Sequence, residues 1–153
     1  MRPLDEIDLR ILRALQKDGR KTNSALAEEV GLSTSPCWQR LKRLEEDGYI
    51  EGYTALLSQE HLGFPEIVFV ELSLDKHDEQ TLQRFGEDLR RVPEILEVYL
   101  VSGDSDYLLK VAVSGTRGYE QFLARTIYKL PYIKQSKSTF TLRCLKKELS
   151  VLP

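Results

Sequence analysis

The sequence predicts an α+β chain in two parts: an N-terminal winged helix-turn-helix and a C-terminal ferredoxin-like βαββαβ domain. Three observations carry this expectation. Two short amphipathic segments flank a tight Gly31-Leu32-Ser33 turn, the arrangement of a helix-turn-helix. Beyond residue 66 the apolar residues switch between strand and helix periodicity in the order β-α-β-β-α-β. A polar stretch containing Gly63 and Pro65 separates the two patterns. The expected boundaries are 1–57 for the first domain, 58–65 for a linker and 66–153 for the second domain.

Each element has its own signals. A first helix is expected over 5–17, with Leu4, Ile7, Ile11, Leu12 and Leu15 largely on one face. Asp5 is its expected cap, and Asp8 suits the positive helix N-terminus. Asp18-Gly19 stops it, with Gly19 free to adopt the left-handed conformation. A second helix starts at Thr22 or Asn23 and ends at Gly31. A third follows at once, capped by Ser33, Thr34 or Ser35, with Pro36 in its first turn, where the missing N–H costs nothing. Its expected inward residues are Trp38, Leu41, Leu44 and Cys37, and Asp47-Gly48 ends it. The alternating stretch 49–57 reads as a wing or an outgoing strand. In the second domain strands are expected over 67–74, 95–101, 107–113 and 133–145, and helices over 79–91 and 116–130. Helices in such a fold cover one sheet face. Ile67, Phe69, Val98 and Leu100 are therefore expected on an uncovered face, buried against another copy of the chain.

Composition excludes several classes. With 153 residues, 41% hydrophobic and 30% charged, the chain suits a soluble globular protein. No apolar run approaches the roughly 20 residues of a membrane span, and the N-terminus lacks the apolar core of a signal peptide. A cytoplasmic protein with no membrane contact is expected. Cys37 and Cys144 have no histidine at ligand spacing and read as buried, reduced thiols. No metal or cofactor is expected. His61 and His77 lie in polar stretches with no paired nucleophile and read as solvent-exposed. No catalytic constellation or phosphate loop is present, so the chain is not expected to be an enzyme.

Net charge is −2, so its distribution matters more than its sum. Between Val30 and Leu44 the charged residues are Arg40, Lys42 and Arg43, with no acid among them. Arg20 and Lys21 form a second basic pair. The third helix is the expected reader of double-stranded DNA, entering the major groove by its N-terminal part. Gln39 suits adenine, and Arg40 or Arg43 suits guanine. Ser33, Thr34, Ser35 and Lys42 suit the phosphate backbone, and Lys21 joins the interface. Trp38 reads as a core anchor of the small domain. An ordinary amphipathic helix with a solvated basic face is the bland alternative. The preceding helix-turn and the following wing favour DNA binding.

Five stretches share a further likeness: 15–20, 26–33, Pro36-Cys37 leading into 40–45, 48–57, and 100–110. Together they resemble the leucine-responsive regulatory protein/AsnC family of prokaryotic transcription factors, over nearly the whole chain. The resemblance implies an amino-acid-responsive regulator of amino-acid metabolism with a RAM/ACT-like second domain. It also implies dimers that assemble into octamers or similar discs and wrap promoter DNA.

The turn 102–107 has chemistry that fits an amino acid. Gly103 lets backbone N–H groups approach a ligand. Those amides and Ser102 suit an α-carboxylate, and Asp104 or Asp106 suits an α-ammonium. Tyr107 closes the motif. A plain hairpin turn would look the same from sequence alone. In the family the effector sits between dimers, near this turn and against the last strand, which implicates Ser136, Ser138 and Thr139. Leucine or another small amino acid is the implied effector. Ser105 stands where the family usually has an aromatic, a departure that bears on pocket size and ligand preference. Two rival readings are a ligand-independent architectural DNA-binding protein and a regulatory module of a metabolic enzyme.

Overall fold

The computed structural model describes residues 3–76 and 78–153. His77, expected in solvent, lies outside the described residues. The chain divides into two compact units: Met1–Leu56 with Lys146–Pro153, and Leu57–Leu145. The division moves the last eight residues, 146–153, out of the second domain, where the sequence had placed them. Leu152 packs against the core of the first unit, and Gln16 Nε2 donates to the Ser150 carbonyl at 2.7 Å.

The first unit holds three helices: α1 (Glu6–Lys17), α2 (Asn23–Val30) and α3 (Thr34–Glu46). Asp5 caps α1, accepting from the Ile7 and Asp8 N–H groups, while Asp8 accepts from the Asp5 N–H in return. That reciprocal pair satisfies donors the helix leaves open. The helix stops at Asp18 in extended geometry, without a left-handed Gly19. Thr22 caps α2 through the Ala25 N–H, and Gly31 closes it at φ 76°. A side chain there would strain the tight turn into α3. Ile11, Leu26, Cys37 and Leu44 are fully buried between the helices.

One ion cluster ties α1 to α3. Asp8 is fully buried. Its carboxylate meets Arg40 Nη1 at 2.8 Å and Arg43 Nη2 at 2.5 Å. Arg40 Nη1 also lies 2.6 Å from Asp5. The Arg40 hydrogen bond, with the Asp8 and Ile7 N–H groups, holds the Asp5 carboxyl down at about 2. Burial pushes Asp8 upward, but the Asp5 N–H and the Arg43 and Arg40 guanidiniums outweigh it and leave the carboxyl below its ordinary value.

Of the two readings of 49–57, a wing or an outgoing strand, the strand does not form. Tyr49 and Ile50 pack on the helical core, but the rest has no regular secondary structure and no ladder partner, and Leu56 and Leu57 are exposed. Alternation alone makes a strand only where a neighbour accepts its hydrogen bonds.

The second unit is a four-stranded antiparallel sheet in the order β2-β3-β1-β4. Its strands are β1 (Glu66–Leu74), β2 (Ile95–Leu100), β3 (Tyr107–Val113) and β4 (Ile133–Phe140), with helices α4 (Glu79–Arg90) and α5 (Thr116–Arg125). Val68, Val70, Leu72 and Leu74 alternate onto one face with Leu109 and Val111. There they pack with Phe85 and Leu89 of α4 and Tyr119 and Phe122 of α5. The expected long last helix breaks at Thr126. The chain then tightens into a 3-10 turn, Ile127–Lys129, that buries Ile127. β4 ends earlier than expected, at Phe140 opposite Val68. The Thr141 N–H bonds the Ile67 carbonyl, and Pro65, which has no N–H to donate, precedes β1.

The uncovered face carries Ile67, Phe69, Glu71, Leu108 and Lys110, read from their register. Val98 and Leu100 are not on it. They pair with Leu109 and Tyr107, so they point to the helix side. Tyr99 and Glu97 take the open side instead, and Glu97 pairs with Lys110 at 2.7 Å. Cys37 is buried as expected, whereas Cys144 is exposed. Among the described residues no helix is long and apolar enough to cross a membrane.

Two outcomes follow from the ion cluster. Asp8→Ala, which strands Arg43 and leaves Arg40 only Asp5, is expected to cost about 3 kcal/mol in urea unfolding; a loss below about 1 kcal/mol would show that Asp8 does not hold α3. Asp5→Asn keeps a good cap but removes the charge facing Arg40. Because the folded Asp5 value lies below its ordinary 3.8, its contribution is fully present above that value and lost as pH falls through the folded one. The melting-temperature gap between wild type and Asp5→Asn should therefore be present at neutral pH and close between about pH 4 and pH 2. A gap unchanged down to pH 2 would exclude the charge as its source.

Candidate DNA-reading helix and effector turn

The burial pattern of α3 divides it into two stripes. Cys37, Leu41 and Leu44 face the helical core, and Arg40 and Arg43 lie beside them in the Asp5–Asp8 cluster. Ser35, Trp38, Gln39 and Lys42 face solvent, at the spacing of one helix face. The structure therefore corrects two expectations. Arg40 and Arg43 do not stand outward as free cations, because α1 supplies carboxylates at the height where their side chains reach. Trp38 is not a core anchor; it is 52% exposed, because the inward position beside it is taken by Cys37.

The N-terminus of α3 is open for an anion. Ser33 sits at the cap position but makes no side-chain cap bond, and the first turn holds no acid. Ser33, Thr34 and Ser35 are all exposed. Three hydroxyls and the free N–H groups of the helix start are the chemistry that suits a phosphate. Asn23 braces it by donating to the Thr34 carbonyl at 3.0 Å. Lys21 is ion-paired to Glu29 at 2.8 Å, which holds its ammonium above its ordinary value.

The effector residues are only partly brought together. Ser102, Gly103 and Asp104 form an exposed turn between β2 and β3, with Gly103 at φ 124°. That turn is pinned to β1: Ser73 Oγ donates to the Asp104 carbonyl at 3.1 Å, and the Asp106 carboxylate accepts the Leu74 N–H at 2.7 Å. Asp106 is thus an anchor of the turn instead of an open ammonium partner. Tyr107 points the other way. It is buried against Phe85, and its hydroxyl donates to the Leu82 carbonyl. Strand alternation forces this, since its neighbour Leu108 takes the open face. Ser136 lies in the same cross-strand row as Leu72 and Tyr107, so it shares that end of the sheet with the turn. Ser138 is further along β4 and bonded to the Tyr119 hydroxyl on the helix side. Thr139 pairs with Phe69 on the open face.

Sequence reasoning missed a polar chain beside the turn. Ser105 Oγ donates to Glu71 at 3.3 Å, and Lys137 pairs with the same carboxylate at 3.3 Å. Only the strand register, which the sequence does not state, joins these three residues. The Asp5–Asp8 cluster had a visible signal in its acid spacing, but that spacing equally fits a helix start with no distant partner.

Comparison with known proteins matches both units. Residues 4–51 match a family described as winged helix-turn-helix DNA-binding, and residues 67–151 match the Lrp/AsnC ligand binding domain. The leucine-responsive regulatory protein of Escherichia coli strain K12 is 41% identical over 144 residues, 94% of this chain and 88% of that relative. The protein of the same name from Klebsiella pneumoniae shows the same identity and coverage. Among solved structures, a transcriptional regulator of Neisseria meningitidis in complex with L-methionine superposes with a TM-score of 0.92 at 34% identity, covering 98% of this chain and 97% of that one. An AsnC family transcriptional regulator from Agrobacterium tumefaciens gives 0.91 at 38% identity, covering 97% of each. The chain, with its helix-turn-helix unit and its sheet-based ligand-binding unit, therefore belongs to the Lrp/AsnC family of transcriptional regulators.

Proposed function

We propose that the chain binds double-stranded DNA through the outward stripe of α3 and tunes that binding with a small amino acid held at the turn 102–104. The observation that carries the DNA reading is the stripe itself: Ser35, Gln39 and Lys42 face solvent together, with no acid in the first turn. Gln39 carries the amide geometry that pairs with adenine in the major groove. Ser33, Thr34, Ser35 and Lys42 hold the backbone. Arg40, Arg43 and Lys21 act first as struts of the domain. The exposed Ser102, Gly103 and Asp104, with Ser136 of β4 at the same end of the sheet, are the effector-binding candidates. The relative solved with L-methionine supports an amino acid as the ligand class. Ile67, Phe69 and Leu108 on the half-exposed open face support a homodimer and larger assemblies built from it. The regulator has no chemistry of its own and works in the cytoplasm.

Duplexes selected by the full chain from a random pool test the first half. Gln39→Ala should cost about 1–3 kcal/mol and relax preference at one base pair, whereas Lys42→Ala should weaken all duplexes alike and reduce the salt slope by about one. Wild-type binding with neither variant changed would remove α3 as the reader. Calorimetry with leucine, methionine and other amino acids tests the second half. Asp104→Ala should lose most of the heat of the best ligand, and equal heats from both proteins would take Asp104 out of the site. DNA affinity indifferent to every amino acid would favour the architectural reading.

A further inference from the structure

We infer that Trp38 is a base-reading residue, recognising the 5-methyl group of thymine beside the base read by Gln39. The inference rests on the DNA-binding reading above and names part of its specificity. Trp38 is a large apolar side chain placed outward, 52% exposed, within a stripe otherwise made of Ser35, Gln39 and Lys42. It lies outside the helical core, which is closed by Cys37, Leu41 and Leu44. Its neighbours in sequence explain why the stripe lacks a guanine reader: Arg40 and Arg43 are held by Asp5 and Asp8. The chemistry left on the stripe is an amide, an indole, a hydroxyl and an ammonium.

The floor of the major groove offers one kind of apolar group, the thymine methyl. An indole face is the only large apolar surface the stripe presents to it, and covering a methyl removes both from water. An A·T pair shows the adenine N6 and N7 atoms and the thymine methyl on the same groove edge. Gln39 and Trp38, adjacent on α3, match those two features. An arginine in place of either would select guanine, and both arginines of this helix are engaged elsewhere.

The test replaces thymine by uracil in duplexes selected by the full chain. The exchange removes the methyl and leaves base pairing intact. Wild type should lose about fourfold in affinity for each methyl that Trp38 covers. Trp38→Ala should bind the thymine duplex more weakly, by a similar factor or more, and show no further loss on uracil. Trp38→Phe should keep part of the methyl preference. The chain has one tryptophan, so its emission reports this residue alone. It should shift to shorter wavelength on the thymine duplex and shift less on the uracil duplex. These fluorescence readings come from wild type and do not depend on how a variant folds. A full uracil penalty in Trp38→Ala, or an unshifted wild-type emission on a tightly bound duplex, would overturn the inference and leave the DNA-binding reading standing. Wild type that binds no duplex from the pool would overturn both.

Discussion

The buried carboxylate of Asp8 is the constraint on which the reader helix depends. A fully buried charge survives only when paired, since its desolvation otherwise exceeds what the fold can offset. Here two guanidiniums from α3 supply the pairing, and Asp5 shares one of them. The rotation of α3 about its axis follows from this. Once Arg40 and Arg43 point at α1, helical spacing sends Ser35, Trp38, Gln39 and Lys42 away from it. The same contact that ties α1 to α3 chooses which side chains of α3 face solvent.

The second unit works by a simpler rule. β1 lies between β3 and β4 in the sheet, and its alternate residues Val68, Val70, Leu72 and Leu74 are all fully buried. With that face committed to the helices, the opposite face is left half exposed. The turn after β2 is fixed by backbone and carboxylate bonds to the end of β1, through Ser73, Leu74 and Asp106. Gly103 and Asp104 therefore project from a rigid base. A turn held this way would lose little conformational entropy on binding the proposed ligand.

The helical half was legible wherever a local signal decides the outcome. Asp5, Thr22 and Gly31 were readable as caps because capping depends on a few adjacent residues. The order of strands and helices in the second half was readable from periodicity. What escaped was everything set by a distant partner. The stretch 49–57 alternates like a strand but pairs with no strand among the described residues. The last strand ends at Phe140, opposite Val68 of β1, a limit set by a partner far away in sequence. Val98 and Leu100 were assigned to the wrong face because alternation gives the period without its phase; the phase comes from pairing with Leu109 and Tyr107. Arg40 and Arg43 were legible as cations but not as partners of residues more than thirty positions away. Of the effector candidates, the exposed turn was visible in sequence, whereas the inward direction of Tyr107 required the register.

Sequestering two arginines also bears on selectivity in a chain whose net charge is −2. Phosphate contacts supply affinity without discrimination, and each added cation strengthens binding to every sequence alike. A reader helix with free Arg40, Lys42 and Arg43 would lean on that term. With two of the three neutralised by Asp5 and Asp8, Lys42 remains as the cation of the stripe. On the proposed DNA reading, the balance between specific and general binding then shifts toward the base edges proposed for Gln39 and Trp38. The acids of α1 thus bear on specificity as they do on stability: they pair with charges that would otherwise attract any polyanion.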